Sequence, residues 1–176
     1  VMATDFCEKY NLEAPVLSEE TQNRLRAVLQ PHCPIKNPVD LAGTPEHDMW
    51  VFDRSLEILL DDPDIDGVII VGLYGGYKDL SDEFAKLEMD VAKSMADHIA
   101  RSGKPVVMHS IYQPQHPESL QYLSEHGVPL FDSVQTAVRA MGALVEYSQS
   151  RRQLQEEMDA PAPDLPADRM EKANEI

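Results

Sequence analysis

An α/β fold built on a doubly wound parallel sheet is predicted by three observations. The run Asp66-Gly67-Val68-Ile69-Ile70-Val71-Gly72 sets four β-branched residues between glycines, which reads as a strand buried on both faces, because a half-exposed strand would alternate apolar with polar residues. Segments with helical periodicity alternate with this and later strands, and such alternation places helices on both faces of a parallel sheet. The strand runs into Leu73-Tyr74-Gly75-Gly76-Tyr77, a Gly-Gly pair at the carboxyl end, where open α/β sheets place their ligands. Backbone can approach an anion or a partner loop closely there; an ordinary tight strand-to-helix turn is the alternative.

The elements follow in chain order. Residues Val1 to Tyr10 are predicted helical, with Met2, Phe6 and Tyr10 at four-residue intervals, Ala3 and Cys7 beside them and Asp5, Glu8 and Lys9 opposite. A short extended segment, Leu12 to Leu17, leads to Ser18 as N-cap of a second helix reaching about Leu29, with Glu19 and Glu20 in its first turn and Leu25, Val28 and Leu29 buried. Pro31 to Gly43 is a loop in which Asn37-Pro38-Val39-Asp40 forms a turn, Pro38 biasing Asn37 away from helix. Thr44-Pro45-Glu46 reads as a helix start, with Met49, Phe52, Leu56 and Leu59 inward, Trp50 at a rim and Asp61-Asp62-Pro63 as the stop.

After the glycine pair, Asp79 to Ser102 is predicted as a long helix capped by Ser81 and stopped by Gly103, with Phe84, Leu87, Val91, Met95 and Ile99 inward. Its acidic residues Asp82, Glu83, Glu88 and Asp90 are assigned to a solvated face. A strand over Pro105 to Met108, a helix from about Pro117 to His126, a small strand at Val128 to Leu130 and a last helix opened by Ser133 complete the pattern. That last helix turns Val134, Ala137, Val138, Met141, Leu144 and Val145 inward. Residues 151–167 read as a Pro-rich linker, and 168–176 as the first turns of a following helix.

Acidic residues outnumber basic ones 31 to 15, for a formal charge of −16, so neither nucleic acid nor an anionic membrane is an expected partner. Any anion must be held locally, as the N–H groups of a helix start can do. With no signal-like amino end and no apolar run of spanning length, a cytoplasmic location is expected. Cys7 and Cys33 form no CxxC pair and are expected as small buried thiols, without a metal site. Of the six histidines, His32, His47, His98 and His126 are assigned to the surface and His116 to a helix cap. His109 is the stronger candidate, at the carboxyl end of a predicted strand. Asn37 and Asp40 either support a site or brace their own turn. No Ser/His/Asp set, P-loop or GxGxxG is present.

An ordered set of segments resembles a known family. Val1-Met2-Ala3-Thr4-Asp5 with Cys7-Glu8-Lys9, Leu17-Ser18-Glu19-Glu20-Thr21 with Leu25-Arg26, Asn37-Pro38-Val39-Asp40-Leu41, and Asp62-Pro63 before Val68-Ile69-Ile70 are similar to the NDP-forming acyl-CoA synthetases. These include the ADP-forming acetate–CoA ligases and, more distantly, succinyl-CoA synthetase. The resemblance covers residues 1–150 and implies a flavodoxin-like ligase domain, the fifth in the usual naming, a three-layer α/β/α sandwich whose first strand and Gly-rich turn are expected upstream of Val1.

In that family acyl-CoA, phosphate and nucleoside diphosphate are interconverted with acid, CoA and nucleoside triphosphate through a phosphohistidine carried by another domain. The resemblance therefore implies CoA, ATP/ADP and Mg2+ for the full enzyme and none bound by this piece alone. It implies CoA-binding, phosphohistidine and ATP-grasp domains as partners, in the same protein or a partner subunit, with oligomers possible. Carried residue by residue, it places Val1, Met2, Ala3 and Thr4 at a phosphate-facing helix start, and Gly75, Gly76, Tyr77 and Lys78 in a substrate loop, with Asn37 and Asp40 as a supporting turn. Tyr77 and Lys78 stand where the family has aliphatic residues, so acyl specificity does not transfer. Isolated, the chain is expected to be inactive. A ligand-sensing domain fused to an acetyltransferase is the alternative, and a flavin binder a more distant one.

Overall fold

The computed structural model describes residues 2–159. The chain divides into two compact units, Val1–Ala143 and Leu144–Ile176. The first carries α1 (Met2–Lys9), α2 (Glu19–Val28), α3 (Val51–Asp61), β1 (Val68–Gly72), α4 (Asp82–Ser102), β2 (Val106–Ser110), α5 (Glu118–Glu125), β3 (Leu130–Phe131) and the start of α6 (Val134–Asp159). The strands form one parallel sheet in the order β1-β2-β3, with Val68 opposite Val106 and His109 opposite Phe131.

Side-chain alternation divides the strands between two cores. Val68 and Ile70 of β1 and Val106 and Met108 of β2 face the core built with α3, α4 and α5, where Leu56, Val91, Met95 and Leu123 are buried. Ile69 and Val107 face the opposite way, against Ala137 and Met141 of α6 and Leu12. Helices on both faces of a parallel sheet are the arrangement that the strand–helix alternation predicted. A third core joins α2 and α3 through Leu25, Val51 and Ile58.

The strand buried on both faces is β2, every residue of which is buried. β1 is only partly buried, with Val71 42% exposed. The expectation for Val68–Val71 fails because burial also depends on lateral neighbours, and β1 has a described strand on one side only.

Most helix boundaries follow their local signals. Ser18 caps α2 by accepting from Thr21 N at 3.1 Å. Ser81 caps α4 by accepting from Phe84 N at 3.2 Å, and Gly103 ends that helix in the left-handed conformation at φ 67°. The helix expected from Thr44 is instead a 3-10 turn, Thr44–Glu46, followed by α3 from Val51. Thr44 does not cap it. Its hydroxyl is buried against Cys33 Sγ at 3.3 Å. Pro117, not His116, is the residue ahead of α5, and His116 is exposed at φ 50°.

Leu144 was expected inward and is exposed. Residues 151–159, grouped with the linker, continue α6 as exposed helix. The rest of the linker and the helix expected at 168–176 lie outside the described residues.

Candidate functional site

The Gly75–Gly76 turn is built between β1, α4, α5 and the loop after β2. Tyr74 enters the core almost completely, 1% exposed, because its hydroxyl finds a partner there: it donates to Glu88 O at 2.6 Å, with Phe52 edge-on at 5.0 Å between centroids. Gly75 follows at φ 98°, a conformation that L side chains rarely adopt, and a Cβ there would meet Leu120 Cδ1 at 2.8 Å. Gly76 has an ordinary φ of −100°, and a Cβ there would lie 2.1 Å from Cε2 of the half-buried Tyr112 ring, which would have to move. One glycine is needed for its backbone angle and the other for the aromatic ring on top of it.

Glu88 holds this turn from beneath. Its side chain reaches from α4 into the core, leaving the residue 1% exposed, and Oε1 accepts from Gly75 N at 2.7 Å and Tyr77 N at 3.2 Å. Oε2 accepts from the Ser119 hydroxyl of α5 at 3.1 Å. Burial pushes the Glu88 carboxyl above the usual carboxylate range, and the turn amides with Ser119 oppose part of that rise. Glu88 therefore does not belong to the solvated face of α4. The signal lay in the spacing: Phe84, Glu88, Val91 and Met95 follow a 4-3-4 pattern that puts Glu88 on the apolar stripe.

From the other side, Ser110 at the end of β2 ties two loops together. Its hydroxyl donates to Tyr74 O at 2.5 Å and accepts from Tyr112 N at 3.0 Å. Neither Ser110 nor Tyr112 was singled out from the sequence. No local pattern marks them, and only the pairing of Gly72 with Ser110 brings them to the turn.

The carried-over residues take different places. Gly75, Gly76, Tyr77 and Lys78 form one continuous turn. The Gly75 and Tyr77 amides face Glu88, so they are not the turn's outward donors. Tyr77 lays its ring against Phe52, 6.1 Å between centroids, and its hydroxyl is pushed up to about 12, first by burial and then by the Glu46 and Glu88 charges. Lys78 is paired with Asp79 at 2.7 Å. Asp40 braces its own loop, its carboxylate accepting from Ala42 N at 2.9 Å. Asn37 lies on the same loop, whose Val39 and Leu41 pack on the α2–α3 core. Met2, Ala3 and Thr4 open α1, which has no buried residue, while Val1 lies outside the described residues.

One histidine departs from its surface assignment, and the stronger candidate keeps its place at a strand end. His98 is half-buried: its side chain is 13% exposed, with Asp53 at 3.4 Å and Glu57 at 3.5 Å. His109 is 7% exposed at the carboxyl end of β2 with Nδ1 unpartnered, and burial lowers its pKa against the opposing pull of Asp132. Cys33 is buried as expected, whereas Cys7 is half-buried. Among the described residues no group of three His, Cys, Asp or Glu side chains is placed to hold a metal ion, and no helix is long and apolar enough to cross a membrane.

A parallel sheet covered by helices on both faces, with a hydrogen-bonded glycine turn after the carboxyl end of β1, defines an α/β domain of the doubly wound class. The chain belongs to the Ligase-CoA domain family, which matches residues 1–155. It is 24% identical over 151 residues to acetate–CoA ligase (ADP-forming) II subunit alpha of Pyrococcus furiosus, a match spanning 85% of this chain and 32% of that subunit. It is 28% identical to acetate–CoA ligase (ADP-forming) I of Archaeoglobus fulgidus, over 100% of this chain and 23% of that enzyme. The chain thus spans about a quarter to a third of the length of these relatives.

Its fold is similar to that of dinucleotide forming acetyl-coenzyme A synthetase 1 of Ca. Korarchaeum cryptofilum. The apo form aligns at TM-score 0.68 and 18% identity, over 90% of this chain and 33% of that one. The complex with phosphate and ADP aligns at 0.67 and 19%, over 90% and 32%.

Proposed function

We propose that this chain is the flavodoxin-like domain of an ADP-forming acyl-CoA synthetase, supplying the Gly75–Lys78 turn and the start of α1 to a phosphoryl- and acyl-transfer site that other domains complete. The observation that carries the reading is the turn itself. Gly75 takes a backbone angle that L side chains rarely adopt, a Cβ on Gly76 would displace the Tyr112 ring, a buried carboxylate holds the backbone, and the turn follows the carboxyl end of β1, the end at which sheets of this class bind ligands. Its neighbours Leu73, Leu80 and Ile111 are 53%, 60% and 54% exposed, which suits a surface covered by another domain.

The chain's own contribution is positional and electrostatic. Lys78 brings a positive charge to the turn, and the N–H groups that open α1 face a phosphoryl group, with the helix dipole favouring the anion by about 0.3–1 kcal/mol. CoA, nucleotide and Mg2+ fall to the partner domains, as does the phosphohistidine. The reading also rests on the family membership and the ligase relatives.

The test uses the enzyme assembled with these domains, assayed for ATP formation from acetyl-CoA, phosphate and ADP. Gly76→Val is expected to lower turnover while the domain stays folded. Unchanged kinetics would return the turn to an ordinary strand-to-helix connection. The α1 assignment is tested separately, by titrating phosphate into isotope-labelled protein. Amide shifts are expected at Met2, Ala3 and Thr4 before the starts of α4 or α6, and the reverse order would sink it.

A further inference from the structure

We infer that Glu88 is the positioning residue of the Gly75–Lys78 turn: through two main-chain amides and Ser119 its carboxylate sets the backbone geometry in which the turn meets its ligand. The inference rests on the reading of the turn as a substrate element, but the hold itself is testable without it.

Three donors from two elements converge on one side chain. Gly75 N and Tyr77 N come from the turn and the Ser119 hydroxyl from α5. In effect the turn wraps an internal anion, the kind of concave amide site that elsewhere binds a free one. Because Glu88 fills it, no external anion competes for those two amides, and the Gly76 amide between them is taken up by Leu73 O at 3.1 Å. The main chain of Glu88 also accepts from the Tyr74 hydroxyl, so the same residue fixes both ends of the Gly-Gly pair. Hydrogen bonds to an ionised acceptor are shorter and roughly twice as strong as neutral ones, which makes the hold depend on the charge of Glu88.

Tyr74, Tyr77 and Lys78, all on the turn, interact electrostatically with Glu88. From α5 the Ser119 hydroxyl faces it. Asp53 of α3 acts on Tyr74. Tyr74 and Tyr77 titrate far above neutrality, and Lys78 is also held above its ordinary range by Asp79, which leaves Asp53, Glu46 and Asp79 as the other acidic groups near the turn; their transitions persist in Glu88→Gln, and the Glu88 transition is the one that variant removes.

The full 176-residue chain, labelled with nitrogen-15, is titrated with acid while amide shifts are followed. The Gly75 and Tyr77 signals are expected to move together through one transition above the ordinary carboxylate range, and to lose that transition in Glu88→Gln. Amides indifferent to pH in the native chain, or titrating alike in Glu88→Gln, would overturn the inference; the native titration needs no variant to fold. In the assembled enzyme, Glu88→Gln is expected to lower kcat about tenfold or more through misplacement of the turn, with KM for ADP unchanged. Moved amides with unaltered kinetics would uphold Glu88 as the positioning residue while removing the turn from the substrate site.

Discussion

At the scale of single residues, the decisive contacts are steric and electrostatic. A Cβ on Gly76 collides with the Tyr112 ring, so Gly76→Ala is expected to cost about 1–3 kcal/mol, as overpacking does. Gly76→Ala combined with Tyr112→Ala should recover much of that loss in chemical denaturation, where simple addition of the two costs would refute the steric cause. Glu88→Ala strips partners from buried amides and should cost about 1–3 kcal/mol, against a smaller loss for the isosteric Gln. His109 supplies a pH dependence of definite sign. Burial depresses its folded pKa, so the folded state binds fewer protons than the unfolded chain. The associated stability is therefore present above the unfolded value near pH 6.5 and is lost as pH falls through the depressed folded value. Denaturation of the native protein and His109→Gln at pH 7.5 and 5.5 should show a steeper loss in the native protein. A parallel loss would contradict this.

At the scale of elements, helices are bounded by their caps but placed by buried polar links. Ser18→Ala removes the cap of α2 and should cost about 1 kcal/mol. Thr21→Val should cost more, about 1.5–3 kcal/mol, because the Thr21 hydroxyl donates to Asp62 Oδ2 at 2.6 Å and Asp62 is 3% exposed at the end of α3. Equal effects in thermal or urea unfolding would mean that the α2–α3 link adds nothing beyond helix capping. The Asp62 carboxylate also accepts from Asp64 N at 2.9 Å, and its carbonyl from Lys104 Nζ at 2.6 Å, joining α3 to the segment that leads into β2. Neither of the distant partners, Thr21 and Lys104, is visible in local periodicity. The sequence marked Asp62 as a helix stop, and it is one, but the reason for an acidic residue at that position lies across the fold.

At the scale of the whole molecule, the chain spans a minor part of its ligase relatives, and the purified chain alone is expected to form no ATP from acetyl-CoA, phosphate and ADP. Turnover that copurifies with it would disprove the proposed division of labour. The sequence by itself determined the α/β class, the order of the elements, the caps at Ser18, Ser81 and Gly103, and the turn at Gly75–Gly76, because each depends on period, capping or φ within a few residues. It also carried the ordered segments by which the family is recognised. Only the tertiary structure decided which strand is buried on both faces, that Glu88 is buried and His98 half-buried, and that Tyr112 covers Gly76. Burial and partnership depend on what the fold brings near from distant parts of the chain. A charged residue on an apolar stripe is stable there only when distant donors meet it, and those donors are fixed by strand register and helix packing.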